Sequence, residues 1–279
     1  MKLEMAEAMA YNRQCLGFVV GLAAARNFPE SAKRYHQFFH KNFQLFRGIE
    51  SAVEVAVLHS FSALAFNNDG PYQSTWLFEQ ALIQAKVPFD IIFDQRLKDL
   101  SKYRASVLAD QECLSDEKLD LIRGFVNHGG WLVATEWTSL HTEWRELRPG
   151  FGMADLFQAK PAESWVGGLP LVVGEKPSIP SPVRNQVGDG RVVYLAEVKA
   201  AKEKPATVPI ASEYWKLPVN WLELIEAVRW GAGGELALEV KTPLTVTADL
   251  LRQRASGAFL IHLVNYDVGW TPAVENIEV

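Results

Sequence analysis

A chain of 279 residues is longer than most single domains, so it accommodates one complete domain with flanking parts of others. Hydrophobic residues make up 48% and charged residues 22%, the balance of an ordinary globular protein with a core to bury. The formal net charge of −5, without a long basic run, argues against nucleic acid or an anionic membrane as a partner. Cys15 and Cys113 are isolated in the sequence and form neither a disulfide framework nor a CxxC metal site, so no metal and no cofactor is expected. The longest apolar run, LGFVVGLAAA at 16–25, is about half the ~20 residues a membrane span needs. Glu4 and Glu7 precede it where a signal peptide would be basic, so a cytoplasmic location is the expectation.

Residues 1–50 read as helical. Pro29 and Glu30 open PESAKRYHQFFHKNFQLF, in which Tyr35, Phe38, Phe39, Phe43 and Phe46 recur at helical spacing and require a partner to bury them. VEVAVLHS at 53–60 is a continuous apolar run of strand length, as in a parallel sheet covered on both faces. Pro71 suits a first helical turn, YQSTWLFEQALIQAK continues as an amphipathic helix, and PFDIIF at 88–93 follows as a strand. The next strand is ASVLAD at 105–110. Ser115 then caps a helix over DEKLDLIRGFVNH, Gly129 and Gly130 turn the chain, and WLVAT forms a further strand. Strands alternating with helices at this spacing predict an α/β fold: a flavodoxin-like, doubly wound parallel sheet.

Residues 141–190 are rich in Gly and Pro and read as an irregular insertion with short strands. GRVVYLAEV at 190–198 restores a strand, and PVNWLELIEAVRWGA at 218–232 is a helix able to close the sheet. Beyond Gly233 and Gly234 the pattern becomes ELALEV, LTVTADLLR and GAFLIHLVNY, strands without intervening helices, and VENIEV ends the chain as another. Three segments follow: helical 1–50, α/β 51–232, and a β-rich 233–279.

VPFDII, LSDEKLDLIRGFVNHGGWLVATEWTSL and RPGFGMADLF together resemble the glutamine-amidotransferase-like domain, or trimerisation domain, that follows the catalytic barrel in family 42 β-galactosidases and related glycoside hydrolases. The likeness is strongest over 50–160. It implies that residues 1–50 are the last helices of a barrel and that 233–279 begin a small C-terminal β-domain. No eight βα units fit ahead of residue 50, so the family's catalytic glutamates are expected to be absent. The resemblance further implies an accessory role in packing and oligomer contacts, a homo-oligomer (dimer or trimer) and a glycosidase barrel as neighbour.

Amidotransferase-like enzymes place a cysteine on the strained turn after a strand, flanked by small residues. The matching corner here is Thr135-Glu136-Trp137, and Cys113 follows the preceding strand with no histidine recognisably placed to activate it, so no catalytic residue is assigned. Open α/β sheets bind ligands at the strand carboxyl ends, which here carry His59, Ser60, Asp94, Asp110, Glu112 and Glu136. If the strands bearing Asp110 and Glu136 are neighbours, the two carboxylates approach glycosidase separations, which makes an independent small-molecule or glycoside hydrolase the principal alternative. Trp137 and Trp144 suit stacking on a sugar, which makes a carbohydrate-binding module the third reading. HQFFH at 36–40 has the histidine spacing of a zinc helix but Gln37 in place of the glutamate base, and reads as a surface helix.

Overall fold

The computed structural model describes residues 2–11, 30–158, 181–204 and 214–266. The run at 16–25, Cys15, Pro29 and VENIEV lie outside the described residues. The chain divides into two compact units, one of residues 54–82 and 89–237 and the other of 1–53, 83–88 and 238–279.

The first unit is built on strands β2 (Val55–His59), β3 (Phe89–Phe93), β4 (Ala105–Leu108), β5 (Trp131–Thr135), β6 (Val183–Val187) and β7 (Gly190–Leu195). They form one mixed sheet in the order β3-β2-β4-β5-β7-β6, parallel except where β6 runs antiparallel to β7. β2, β4 and β5 are buried at every position, which is why their sequences are apolar throughout rather than alternating. Residues Ala56, Leu58, Leu108, Leu132 and Tyr194 pack on one face with Leu119, Ile122 and Val126 of α5 (Asp116–Asn127) and with α6 (Ala154–Phe157). On the opposite face His59 meets Glu79 of α4 (Gly70–Gln84), and α7 (Trp221–Gly231) packs on β5 and β7.

α5 illustrates how local sequence sets the frame. Ser115 Oγ accepts from Lys118 N (3.4 Å), and Asp116 and Glu117 place negative charge on the first turn. At the far end Gly129, at φ +94°, donates to Val126 O while Gly130 N donates to Phe125 O, the paired bonds of a Schellman stop. This turn aims the chain directly into β5.

The second unit holds α1 (Lys2–Ala10), α2 (Glu30–Lys41) and a three-stranded antiparallel sheet, β1-β8-β9, of Ile49–Ser51, Val246–Gln253 and Phe259–Asn265. The N-terminal and C-terminal segments, separate when read along the sequence, are thus joined by the β1–β8 ladder and by Tyr266 OH donating to Glu7 Oε1 (2.6 Å). Two expectations are corrected. The helix predicted through Phe46 stops at Lys41: Asn42 N still donates to Phe38 O (3.1 Å), joined there by the Asn42 side-chain amide (2.8 Å), and the next turn tightens to a 3-10 turn over Phe43–Phe46, with Leu45 N donating to Asn42 O (2.8 Å). ELALEV is not a strand: β8 takes β1 and β9 as its two neighbours, and Ala237 N donates to the Glu54 carboxylate instead of a ladder (2.7 Å). Phe39 packs on Phe46 and Phe46 on His262, whereas Phe38, Phe43 and Leu45 remain exposed.

Candidate functional site at the strand carboxyl ends

The order in which strands are added to the sheet changes direction between the parallel neighbours β2 and β4. From β2 the connection runs through α4 on one face to β3, and from β4 it runs through α5 on the other face to β5, so the crevice of the sheet opens between the carboxyl ends of β2 and β4. The side chain of Gln111 fills that position and is wholly buried. Its Oε1 accepts from Ser60 N (2.7 Å), and its Nε2 donates to Thr75 Oγ1 (3.0 Å) and Ala109 O (2.8 Å). The backbone is held equally well, with Gln111 N donating to Thr138 Oγ1 (3.0 Å) and Ser139 N donating to Gln111 O (3.0 Å). One amide therefore links β2, α4 and the loops after β4 and β5.

β4 and β5 are neighbours, with Leu108 opposite Ala134, and Asp110 and Glu136 stand just beyond their ends. Both residues adopt left-handed backbone, at φ 52° and 53°, and they are only 4% and 6% exposed. Asp110 Oδ1 accepts from Trp137 N (3.1 Å), and Thr135 Oγ1 accepts from Asp110 N (3.1 Å) while donating to Glu136 Oε2 (2.9 Å). Tyr194 OH donates to Glu136 O (2.5 Å). Burial, with the nearby Glu136 and Asp110 charges, drives the Tyr194 phenol well above its ordinary range. Asp110 also lies against the amino end of α4, where a Cβ on Gly70 would come within 2.8 Å of Asp110 Oδ2. The two residues stand at adjacent strand ends, where the Asp110 carboxylate braces the loop after β5 and the Glu136 carboxylate bonds the last residue of its own strand.

Of the other predicted positions, Asp94, Glu112, Trp137 and His59 pack or bond within the fold, and Trp144 lies exposed. Asp94 accepts from Phe61 N (2.7 Å) and pairs with Lys118 of α5 (3.1 Å), tying two connections together. Glu112 is buried, which raises its carboxyl pKa against the opposing influence of Arg145, 3.5 Å away, and Asn67. Trp137 is half-buried against the main core, whereas Trp144 is 72% exposed. His59 bonds Glu79 (2.7 Å). Among the described residues no group of three or more His, Cys, Asp or Glu side chains is arranged to hold a metal ion.

Cys113 does have a histidine close by, which sequence reading missed. A parallel bridge pairs Cys113 with His141, and His141 N donates to Glu112 O (2.8 Å) while Leu114 N donates to His141 O (3.2 Å). The electrostatics work against an activated pair. Burial, followed by Glu112, pushes the Cys113 thiol up to about 12, and burial, followed by Arg145 and Arg148, lowers His141 to about 4. A thiol of that pKa has on the order of one part in 10⁵ as thiolate at neutral pH, and the thiolate is the nucleophile. Other participants that sequence reading did not identify are Gln111, Thr138 and Tyr194. Only Thr138 left a trace, as a polar residue directly after the corner Thr135-Glu136-Trp137.

No described sequence family matches the chain, and no curated protein matches it. Among solved structures the chain is similar to a cold-adapted β-galactosidase from Rahnella sp. R3, with a TM-score of 0.59 and 17% identity over 85% of this chain and 39% of that one. It is similar to a β-galactosidase from Bacillus circulans sp. alkalophilus (TM-score 0.57, 15% identity, 79% of this chain, 37% of the other). An α-L-fucosidase from Paenibacillus thiaminolyticus matches at a TM-score of 0.51 and 15% identity, covering 84% and 41%. The chain spans less than half the length of these proteins, and at such identities the likeness is one of fold: an α/β architecture shared with part of GH42 glycoside hydrolases.

Proposed function

We propose that this chain is a non-catalytic packing and oligomerisation domain related to family 42-like glycoside hydrolases, with a flavodoxin-like, amidotransferase-like core. The strand order supports the fold reading, because β3-β2-β4-β5-β7 reproduces the flavodoxin order 2-1-3-4-5 with one antiparallel strand added at the edge. The observation that carries the functional reading is the Gln111 side chain, which occupies the crevice where such sheets bind ligands and has its carbonyl and both amide hydrogens bonded to protein. In amidotransferase-like enzymes the strained corner after the strand presents a nucleophile. Here the left-handed backbone persists at Glu136, and its carboxylate accepts from the hydroxyl of Thr135, the residue before it. On this reading residues 1–50 correspond to the end of a barrel and 233–279 to the start of a β-domain.

Oligomerisation is supported by the apolar surface of α2 and the following turn, where Phe38, Phe43 and Leu45 are 55%, 45% and 49% exposed. Sedimentation velocity at micromolar concentration tests it. A dimer or trimer is expected, converted to monomer by Phe38→Ser with Phe43→Ser. A monomer at every concentration overturns the oligomerisation role.

A further inference from the structure

A cleft of about 520 Å³ opens beside α5, between that helix and the 3-10 helix Asp94–Lys102, away from the strand carboxyl ends. Volumes of roughly 300–1,000 Å³ suit small organic ligands. Leu100, Tyr103, Leu121 and Phe125 line its apolar part, with Leu121 itself 38% exposed. Lys98, Arg104 and His128 supply basic groups. Arg104 is held in place, its guanidinium 2.7 Å from Glu54 and 4.4 Å from the centre of the Trp131 ring. The acidic side chain lining the cleft, Asp120, is paired with Arg123 at 3.1 Å. With Arg104 paired to Glu54 and Asp120 to Arg123, Lys98 leaves the rim with a positive charge, which favours an anion.

Gly124 lines the same cleft in the last turn of α5, where glycine still lowers helix stability. Packing does not demand it. A Cβ at this position would meet nothing within 4 Å, in contrast to Gly130, where it would fall 2.4 Å from the Phe125 ring. What the glycine does is leave the space above the helix open.

We propose that this cleft binds a small amphipathic organic anion, its apolar body lying over Gly124 against Leu121 and Phe125 and its anionic group directed to Lys98 and Arg104. Fluorescence titration of the full chain with anilinonaphthalene sulfonate, and with uncharged N-phenylnaphthylamine as control, tests it. Saturable binding of the sulfonate is expected, with amide shifts at Gly124, Gly129 and Gly130 and with affinity lowered about tenfold by Lys98→Glu. Gly124→Leu fills the cleft on an open helix face with a better helix former, so the variant is expected to melt no earlier and to lose binding. Lys98→Glu, on an exposed side chain, reads the charge requirement independently. Equal affinity for the uncharged control, or sulfonate binding unchanged in both variants, overturns the proposal.

Discussion

At the residue scale the strand carboxyl ends are held by buried polar groups whose partners lie far away in sequence. Gln111 bonds Ser60, 51 residues upstream, and Thr75, 36 residues upstream, so nothing in the local string DQEC marks it as the residue that fills the crevice. Gln111→Leu keeps roughly the volume but orphans Ser60 N, while Ala109 O keeps its bond from Thr75 Oγ1. A loss of about 2–4 kcal/mol in denaturant unfolding is expected, and a loss under about 0.5 kcal/mol would show that the amide is not structural. His141 gives a pH signature. Its folded-state pKa lies near 4 against 6.5 in the unfolded chain, so the unfolded state binds the extra proton between those values. Stability from this group is complete above 6.5 and is lost as pH falls towards 4, by up to about 3 kcal/mol. His141→Leu removes that component, and the difference between the two stability curves should rise with pH across this window and be flat above it. The Cys113 thiol, raised to about 12 and wholly buried, should react with a disulfide reagent only as fast as the chain unfolds. Rapid native labelling would contradict its reading as an inert side chain.

At the element scale, legibility followed burial. β2, β4 and β5 are covered on both faces, so their apolar runs stood out, and α5 announced both ends through Ser115 and the Gly129-Gly130 turn. β1 was not legible: Ile-Glu-Ser is too short for a pattern and is a strand only because β8 lies beside it. The same pairing explains why ELALEV, with the better alternation, lost its strand. β3 shows the limit in another way, since its apolar sequence lies on an open edge with Ile91 and Phe93 exposed. Two elements approach closely at Gly190, where a Cβ would sit 2.0 Å from Val126 O and 2.5 Å from Gly130 O, both backbone. Gly190→Ala must part β7 from the end of α5 and is expected to cost about 3 kcal/mol or more, against about 1 kcal/mol for loss of the cap in Ser115→Ala. Thermal melts rank the two, and the reverse order would contradict the packing described.

At the scale of the whole molecule, composition and strand spacing led to an α/β chain with a parallel sheet, and the short motifs pointed to the glycoside hydrolases whose fold it shares in part. The candidate site was legible as a place and not as an arrangement. Asp110 and Glu136 were identifiable at neighbouring strand ends, but their left-handed backbones and their bonds to Trp137 N and Thr135 depend on loops meeting in three dimensions. Those bonds support the proposed packing role, because a glycosidase requires its carboxyl pair to face the sugar with room for attack. The central claim, that this domain packs rather than catalyses, is tested most directly by assaying the purified chain on a nitrophenyl β-galactoside beside Asp110→Asn and Glu136→Gln. The account expects all three proteins to show no turnover above buffer; hydrolysis by the unmodified chain that disappears in either variant would contradict it.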